Sequence, residues 1–142
     1  TATTGIYILS LHDALPILKE QVSEVEVPGA KGAMGILPEH APLLSELGSG
    51  PLGYTPAGAT KKYIAINGGW VEVLPDRVRV LAERAEFGDE IDLSRAEKAM
   101  ERAMERLTHP TAGMDVARAM NAMHRAQARI EAAKATGMAP KK

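Results

Sequence analysis

The chain has 142 residues, 45% of them hydrophobic, a formal net charge of −1 and no cysteine. Its length predicts one domain with an appendage, and a net charge near zero provides no general attraction for nucleic acid or an anionic membrane. The lack of cysteine excludes disulfides, thiolate metal sites and cysteine nucleophiles, and no apolar run approaches the ~18 residues that a membrane span needs.

Residues 9–17 differ from the chain after residue 18 because their apolar residues follow no steady period. The segment LSLHDALPI (9–17) is a translation of CTT TCC CTA CAC GAC GCT CTT CCG ATC, which resembles the end of a common sequencing-library adapter. We therefore predict that residues 1–17 are a non-native, adapter-derived segment and that His12 and Asp13 are not a catalytic pair. The alternative is a divergent native first strand, because IYILSL has the composition of a strand.

Residues 18–87 are predicted to form an antiparallel β-sandwich domain whose first strand is missing or replaced. Alternating or β-branched runs predict strands at 22–27, 61–66, 70–74 and 77–82. In the last of these runs, Val78 and Val80 are expected to point inward. NGG (67–69) and LPDR (74–77) are typical of hairpin turns.

The stretch VPGAKGAMGILPEHAPLL (27–44) is the densest irregular region. Its glycines match neither the P-loop nor the dinucleotide-binding pattern, so they indicate turns and bulges. His40 has no second ligand residue at a suitable spacing, which favours a packed or interface histidine over a metal ligand. The sequence predicts no metal site.

Residues 88–142 are predicted to form an antiparallel two-helix hairpin. Each helix carries an apolar stripe at helical spacing. The stripes consist of Ala96, Ala99, Met100, Ala103, Met104 and Leu107 on the first helix, and Val116, Ala119, Met120, Met123, Gln127 and Ile130 on the second. Small residues bury little apolar area, so the hairpin is expected to be weakly held and able to change partners.

Basic residues also recur at helical spacing on both helices. They are Arg95, Lys98, Arg102 and Arg106 on the first helix, and Arg118, Arg125 and Arg129 on the second. Two such stripes on antiparallel helices would converge on a polyphosphate, because arginine binds phosphate oxygens through a planar fork. The spacing is equally that of two solvated faces, and spacing alone favours this second interpretation.

Three stretches resemble the epsilon subunit of bacterial F-type ATP synthase, from about Leu18 to the C-terminal helix. They are EVEVPGAKGAMGILPEHAPLLSEL, YIAINGGWVEVLPDRVRVLAERAE and EIDLSRAEKAMERAMERL. The resemblance implies an α+β protein with an N-terminal β-sandwich and a C-terminal helical hairpin. It implies a non-catalytic rotor subunit of the F1 central stalk, which couples gamma to the c-ring and regulates ATP hydrolysis through a mobile hairpin.

The implied partners are the gamma subunit, the c-ring and the alpha/beta catalytic head, at the cytoplasmic face of the bacterial inner membrane, with no nucleic acid. The resemblance assigns the gamma/c-ring interface to the sandwich. The Pro-braced loop with adjacent leucines favours this surface as its location. The interface residues predicted on it are His40, Pro42, Leu43 and Leu44.

In some bacterial members of this family the folded hairpin binds ATP through the motif I/L-D-x-x-R-A together with an upstream acidic residue and further arginines. The matching residues in this chain are Glu86, Ile91, Asp92, Arg95, Ala96, Arg102, Arg125 and Arg129. The resemblance therefore implies that no cofactor is required and that ATP is a regulatory ligand.

An alternative is a free-standing ATP-binding sensor module, which needs only the hairpin arginines. An enzyme is disfavoured, because the sequence has no paired acid/base set or metal cluster, and no catalytic residue is predicted.

Overall fold

The computed structural model describes residues 2–13 and 15–137, and within these residues it contains six strands, one 3₁₀ turn and two α-helices. The strands are β1 (Thr4–Ser10), β2 (Pro16–Gly29), β3 (Gly32–Ile36), β4 (Leu43–Pro56), β5 (Lys62–Leu74) and β6 (Arg77–Phe87). The 3₁₀ turn (Gly88–Glu90) precedes the helices α1 (Leu93–Thr108) and α2 (Val116–Ala135). The predicted class, a β-sandwich followed by a helical hairpin, is confirmed. Residues 1, 14 and 138–142, which the predicted domain ranges include, lie outside the described residues.

The six strands form one sheet in the order β1-β6-β5-β4-β2-β3, and β1 also pairs with β2, which closes the sheet on itself. The pairs are antiparallel apart from β1 with β6, which is parallel. Closure leaves β1 with a hydrogen-bonded neighbour on each side and removes an open edge. The enclosed core is built from branched aliphatic side chains, among them Val22, Val25, Leu52, Ile64, Ile66, Val71, Val78 and Val80.

Strand β1 lies in the segment predicted to be adapter-derived. Ile6 and Ile8 are fully buried in the sandwich core, so this segment fills the position of the first strand. His12 and Asp13 lie in the exposed turn that follows it. Hydrogen bonds from the Ser10 side chain and the Leu15 backbone lower the pKa of the Asp13 carboxyl. The adapter origin of the coding DNA stays a prediction.

One of the two predicted hairpin turns is wrong. NGG (67–69) lies inside β5, and the residues on both sides of it pair with β4 and β6 without a change of register. Gly68 and Gly69 have φ of 74° and 125°, so they kink a continuous strand instead of reversing it. A Cβ atom on Gly69 would lie 1.9 Å from the carbonyl oxygen of Leu81, which restricts this position to glycine. The other turn, LPDR, joins β5 to β6 as predicted.

The kink in β5 coincides with a change in which face of the sheet is buried. On β5 the core residues are Ile64 and Ile66 before the kink, and Val71 and Val73 after it. Successive residues of a strand point to opposite faces of the sheet. Ile66 and Val71 are five residues apart, so they lie on opposite faces of β5, and the face that points into the core changes between them.

Strand β6 makes the same change. Val78 and Val80 are buried as predicted, whereas Arg84 and Glu86, at the same alternation, lie outside the core. The face that leaves the core carries Ala65, Asn67, Arg84 and Glu86, and the hairpin lies over it.

Aspartate side chains cap both helices. The Asp92 carboxylate accepts a hydrogen bond from the Arg95 backbone at 3.1 Å, and Asp115 accepts one from the Arg118 backbone at 3.0 Å. Each therefore satisfies an N–H group that the first turn leaves without a partner. Within the described ranges, no helix is both long enough and apolar enough to cross a bilayer.

The predicted apolar stripe of α2 is partly wrong. Val116 and Met120 are 50% and 42% exposed, and Gln127 is also exposed. Helix α2 contacts α1 on one side and strands β4 and β5 on another, so its buried surface is wider than a single stripe. Alanines fill this surface because they allow close approach on both sides; they are Ala119, Ala126, Ala128, Ala132 and Ala133.

Candidate anion-binding cleft

A cleft of about 530 Å³ lies between the sheet and the hairpin. Strands β5 and β6 contribute Asn67, Arg84 and Glu86, and the two helices contribute four further arginines and a set of alanines. The arginines from the helices are Arg102, Arg106, Arg125 and Arg129; the alanines are Ala99, Ala103, Ala122, Ala126 and Ala128.

The two helices present the same pattern to this cleft. On α1, the residues Ala99, Arg102, Ala103 and Arg106 follow one another at spacings of i, i+3, i+4 and i+7, and on α2 the same spacing gives Ala122, Arg125, Ala126 and Arg129. Residues at these spacings share one face of a helix. Alanine leaves space where the helices approach each other, and the long arginine stems carry the charged heads into the space that remains.

Glu86 fixes one of these arginines. Its carboxylate accepts hydrogen bonds from Nε of Arg129 at 2.8 Å and from Nη2 at 3.4 Å. The Glu86 side chain is 37% exposed and the Arg129 side chain is 27% exposed, so the pair is half-buried at the side of the cleft. A two-point contact of this kind fixes the guanidinium plane as well as its position.

The other four arginines of the cleft have no such partner. Among the described residues, none of Arg84, Arg102, Arg106 and Arg125 has a carboxylate oxygen within 4.0 Å. Five arginines and one glutamate line the cleft, so it carries an excess of four positive charges. An anion between them would be attracted by all four, although Arg84, Arg102 and Arg106 are exposed, so solvent screens part of this attraction.

Half of the predicted ATP-binding set lines this cleft and half does not. Glu86, Arg102, Arg125 and Arg129 come together around it. Ile91 and Ala96 are instead buried in a small cluster between the hairpin and the sheet, Asp92 caps α1, and the Arg95 side chain is exposed away from the cleft. The I-D-x-x-R-A segment thus anchors and starts the first helix.

Three polar residues of the cleft were not predicted from the sequence. Arg106 belongs to the basic stripe of α1 but was not assigned to the site, and neither Asn67 nor Arg84 was considered. For Arg84 a signal was present in the sequence, since it continues the alternation of Val78, Val80 and Ala82 with a charged residue. Such a break indicates that the strand has left the core.

The predicted interface residues form a second surface at the start of β4. Glu39, in the loop before it, has a φ of 66°, and its backbone N–H donates to the carbonyl of Pro75 at 2.9 Å. Nδ1 of His40 lies 2.7 Å from the Ala41 carbonyl, which can only accept, so Nδ1 carries the hydrogen.

This braced loop and the first two residues of β4 present apolar side chains to solvent. Leu37 is 62% exposed, Leu43 is 37% exposed and Leu44 is 68% exposed, while Pro42 is exposed beside them. Over the residues that the structure describes, no cluster of three or more His, Asp or Glu side chains is placed to hold a metal ion.

Two family models together match most of the chain. The ATP synthase delta/epsilon chain β-sandwich domain matches residues 13–88, and the long α-helix domain of the same chain matches residues 89–134. The ATP synthase epsilon chain of Solibacter usitatus (strain Ellin6076) is 48% identical over 128 residues, which cover 88% of this chain and 95% of the relative. The epsilon chain of Desulfitobacterium hafniense (strain Y51) is 49% identical over 118 residues, or 83% of this chain and 88% of the relative.

Two solved structures with this fold come from mitochondrial ATP synthases. A chain of the Euglena gracilis enzyme, in an assembly of OSCP, F1 and c-ring, superposes with a TM-score of 0.79 at 24% identity, covering 97% of this chain and 83% of that one. A chain from the central stalk and c-ring of the Tetrahymena thermophila enzyme gives a TM-score of 0.56 at 12% identity, with 97% and 98% covered. At these identities the likeness shows the fold alone.

Proposed function

Since the chain belongs to the delta/epsilon-chain family of ATP synthase, we propose that it is a non-catalytic rotor subunit whose hairpin senses ATP in the anion-binding cleft. The observation that carries the ATP proposal is the convergence of four unpartnered arginines in a cleft between the sandwich and both helices. ATP, as the ligand of this site, is a regulator and not a substrate.

The charge of the cleft suits a nucleoside triphosphate. Such a ligand carries about four negative charges near neutral pH, because its terminal phosphate holds roughly −1.5 to −2 and each internal phosphate adds one. This matches the excess of four positive charges in the cleft. Each arginine–phosphate hydrogen bond is worth about 1.5–3 kcal/mol, and the alanine-lined walls offer an apolar surface to a flat base.

Binding in this cleft would couple ATP to the position of the hairpin. The apolar cluster between hairpin and sheet is small. Four of its six buried residues are alanines, namely Ala65, Ala96, Ala132 and Ala133 beside Ile91 and Leu93, and Tyr63 and Ile130 pack against them. An element held by so little apolar area has docked and undocked states that differ by only a few kcal/mol. A ligand that binds only the docked state stabilises it by mass action, and undocking would release the hairpin to extend along gamma and block hydrolysis in the catalytic head.

We also propose that the surface formed by Leu37, Pro42, Leu43 and Leu44, together with His40, docks on the gamma subunit and the c-ring. A loop held by Pro75 and carrying exposed leucines is a poor solvent-facing segment and a suitable docking surface. The assembly would place the protein peripherally at the cytoplasmic face of the bacterial inner membrane. A free-standing ATP sensor would leave this surface without a role.

Titration calorimetry with ATP tests the proposal on wild type and on Arg125→Ala. We expect at least a tenfold weaker Kd for the variant, from the loss of one charged hydrogen bond. Arg118→Ala, exposed on the same helix outside the cleft, is the matched control and should bind as wild type does. In the assembled complex, ATP should relieve inhibition of hydrolysis for wild type and not for Arg125→Ala. The absence of binding heat for wild type at millimolar ATP would refute the sensing role.

A further inference from the structure

We propose that Arg84 of the sandwich binds the terminal phosphate of the triphosphate. The inference rests on the proposed ATP site and goes beyond it, because the residues first assigned to phosphate binding all belong to the hairpin. Arg84 lies on β6 directly opposite Asn67 of β5, on the part of the sheet face that has left the core.

Arg84 stands where the cleft meets a second pocket. This smaller pocket, of about 380 Å³, shares Asn67, Arg84 and Arg125 with the anion-binding cleft. Arg84 and Arg125 therefore flank the passage between the two, one from the sheet and one from α2.

The second pocket is less favourable for phosphate than the main cleft. Glu46 and Glu83 line it and balance the charges of the shared Arg84 and Arg125, whereas the main cleft has an excess of four positive charges. The phosphate chain is attracted through the main cleft by arginines and is stopped at the passage by these two carboxylates. Its last phosphate then lies at Arg84 and Arg125.

The polarity of the cleft lining indicates where the base, at the opposite end of the ligand, would lie. The alanines of α1 and α2 give the part of the cleft between the helices an apolar surface beside the arginines, which suits the base, whereas the passage beside Asn67 and Arg84 offers only polar side chains to the ligand. Arg84 has no carboxylate oxygen within 4.0 Å among the described residues, so its guanidinium is available to the ligand.

A phosphate contact from β6 would link the ligand to the sandwich as well as to the two helices. Arg102 belongs to α1 and Arg125 to α2, so contacts to these alone join the two helices to each other. A contact to Arg84 also joins them to the sandwich. The terminal phosphate is the part of ATP that ADP lacks, so the structure assigns the discrimination between ATP and ADP to Arg84.

Calorimetry with ATP and with ADP on wild type, Arg84→Gln and Arg77→Gln tests this assignment. Arg77 is exposed on the same strand and lies outside both pockets, so it is the matched control. We expect Arg84→Gln to weaken ATP binding about tenfold and ADP binding less than twofold, because one charged hydrogen-bond pair to the terminal phosphate is lost. Arg77→Gln should change neither affinity by more than about twofold, as expected for a surface site outside the cleft.

The outcomes separate this inference from the proposed function. Unchanged ATP affinity in Arg84→Gln, with normal binding by wild type, overturns the role of Arg84 and leaves the ATP site standing. An equal loss for ATP and ADP overturns the terminal-phosphate assignment. No binding by wild type overturns the site and this inference together. Should Arg84→Gln fail to fold in a thermal melt, Arg84→Lys replaces it; it keeps the charge but not the planar fork, so we expect about a threefold loss for ATP alone.

Discussion

Asp92 is a residue for which the sequence motif and the fold give different roles. The resemblance places it in the ATP-binding set, whereas in the structure its carboxylate caps α1 by accepting from the Arg95 backbone at 3.1 Å. Asp92 does not line the cleft. Its neighbours Ile91 and Ala96 pack in the small apolar cluster that attaches the hairpin to the sheet. A motif residue of this kind affects ligand binding by building the helix that carries the arginines.

Two substitutions of Asp92 separate a cap from a ligand contact. Asparagine caps helices about as well as aspartate, whereas replacing aspartate by alanine costs about 1 kcal/mol. We therefore expect Asp92→Ala to lower the free energy of unfolding by about 1 kcal/mol and Asp92→Asn to leave it nearly unchanged, as measured by urea denaturation. Asp115→Ala, at the cap of α2, should resemble Asp92→Ala. If Asp92→Asn kept wild-type stability but lost ATP affinity, Asp92 would contact the nucleotide directly.

The arginines of the cleft differ in how far the sequence alone predicts their positions. Helical periodicity is local, so spacing placed Arg102, Arg125 and Arg129 on the predicted basic stripes. The same stripes included Arg95, Lys98 and Arg118, which do not line the cleft, so spacing alone did not identify the residues of the site. Arg84 was missed because the charged break in the alternation of its strand was not recognised as the point where the strand leaves the core, and the kink at Gly69 that accompanies it lies on the neighbouring strand.

At the scale of whole elements, NGG illustrates how one local signal serves two structures. Both a tight hairpin turn and a strand kink need residues that adopt positive φ. The flanking runs at 61–66 and 70–74 would have to pair with each other in a hairpin, but β4 and β6 are long enough to pair with both of them as one strand. The pairing of β5 with β4 and β6 therefore decides between a turn and a kink. This pairing joins residues that are distant in the sequence, so the local sequence pattern does not reveal it.

Strand β1 shows that the opening segment is an integral part of the sheet. It hydrogen-bonds to β2 and to β6 and buries Ile6 and Ile8 completely. A segment of non-native origin that occupies this place must still supply two inward-facing aliphatic side chains and two sets of backbone hydrogen bonds. Without it, β2 and β6 would each have an open edge.

Truncation of a buried side chain tests whether β1 is part of the sheet in solution. Ile8→Ala should lower the free energy of unfolding by about 2–4 kcal/mol, because it removes buried methylene groups and leaves a cavity. Leu15→Ala, at a side chain that is 61% exposed, is the control and should change stability by less than about 0.5 kcal/mol. The measurement is urea denaturation of both variants against wild type. An Ile8→Ala value as small as that of Leu15→Ala would show that the opening segment does not pack into the sandwich.

At the scale of the whole molecule, the sandwich and the hairpin are held together very differently. The sandwich has a closed sheet around a continuous aliphatic core, whereas the hairpin rests on it through a small, largely alanine cluster and the Glu86–Arg129 ion pair. The stripes rich in alanine and methionine predict a weakly held hairpin, and this weakness stays a prediction. The direction of α2 relative to the sheet was not predictable from the stripes, which is why Val116 and Met120 were wrongly placed in the seam.

The same asymmetry bears on where a permanent partner would dock. If the hairpin moves as we propose, a surface that holds gamma throughout belongs on the closed sandwich, and the loop before β4 together with Leu43 and Leu44 is such a surface. Leu44 is 68% exposed there and pairs across the sheet with Glu72, whose half-buried side chain lies on the same outward face. Leu43 faces Val73 and is less exposed, so Leu44 is the better residue to change.

Leu44→Asp should weaken capture of the gamma subunit at least tenfold, because a charge would be placed in the apolar centre of the interface. Its thermal melting should match wild type, since the side chain is mostly in solvent. Leu15→Asp introduces the same charge at an exposed leucine in the turn between β1 and β2, away from the loop before β4, and should capture gamma normally. Co-expression with gamma followed by affinity purification, titrated with salt, measures both variants. Normal capture by Leu44→Asp would exclude this loop as the gamma-binding surface, and equal losses in the two variants would show that the effect comes from added charge and not from position.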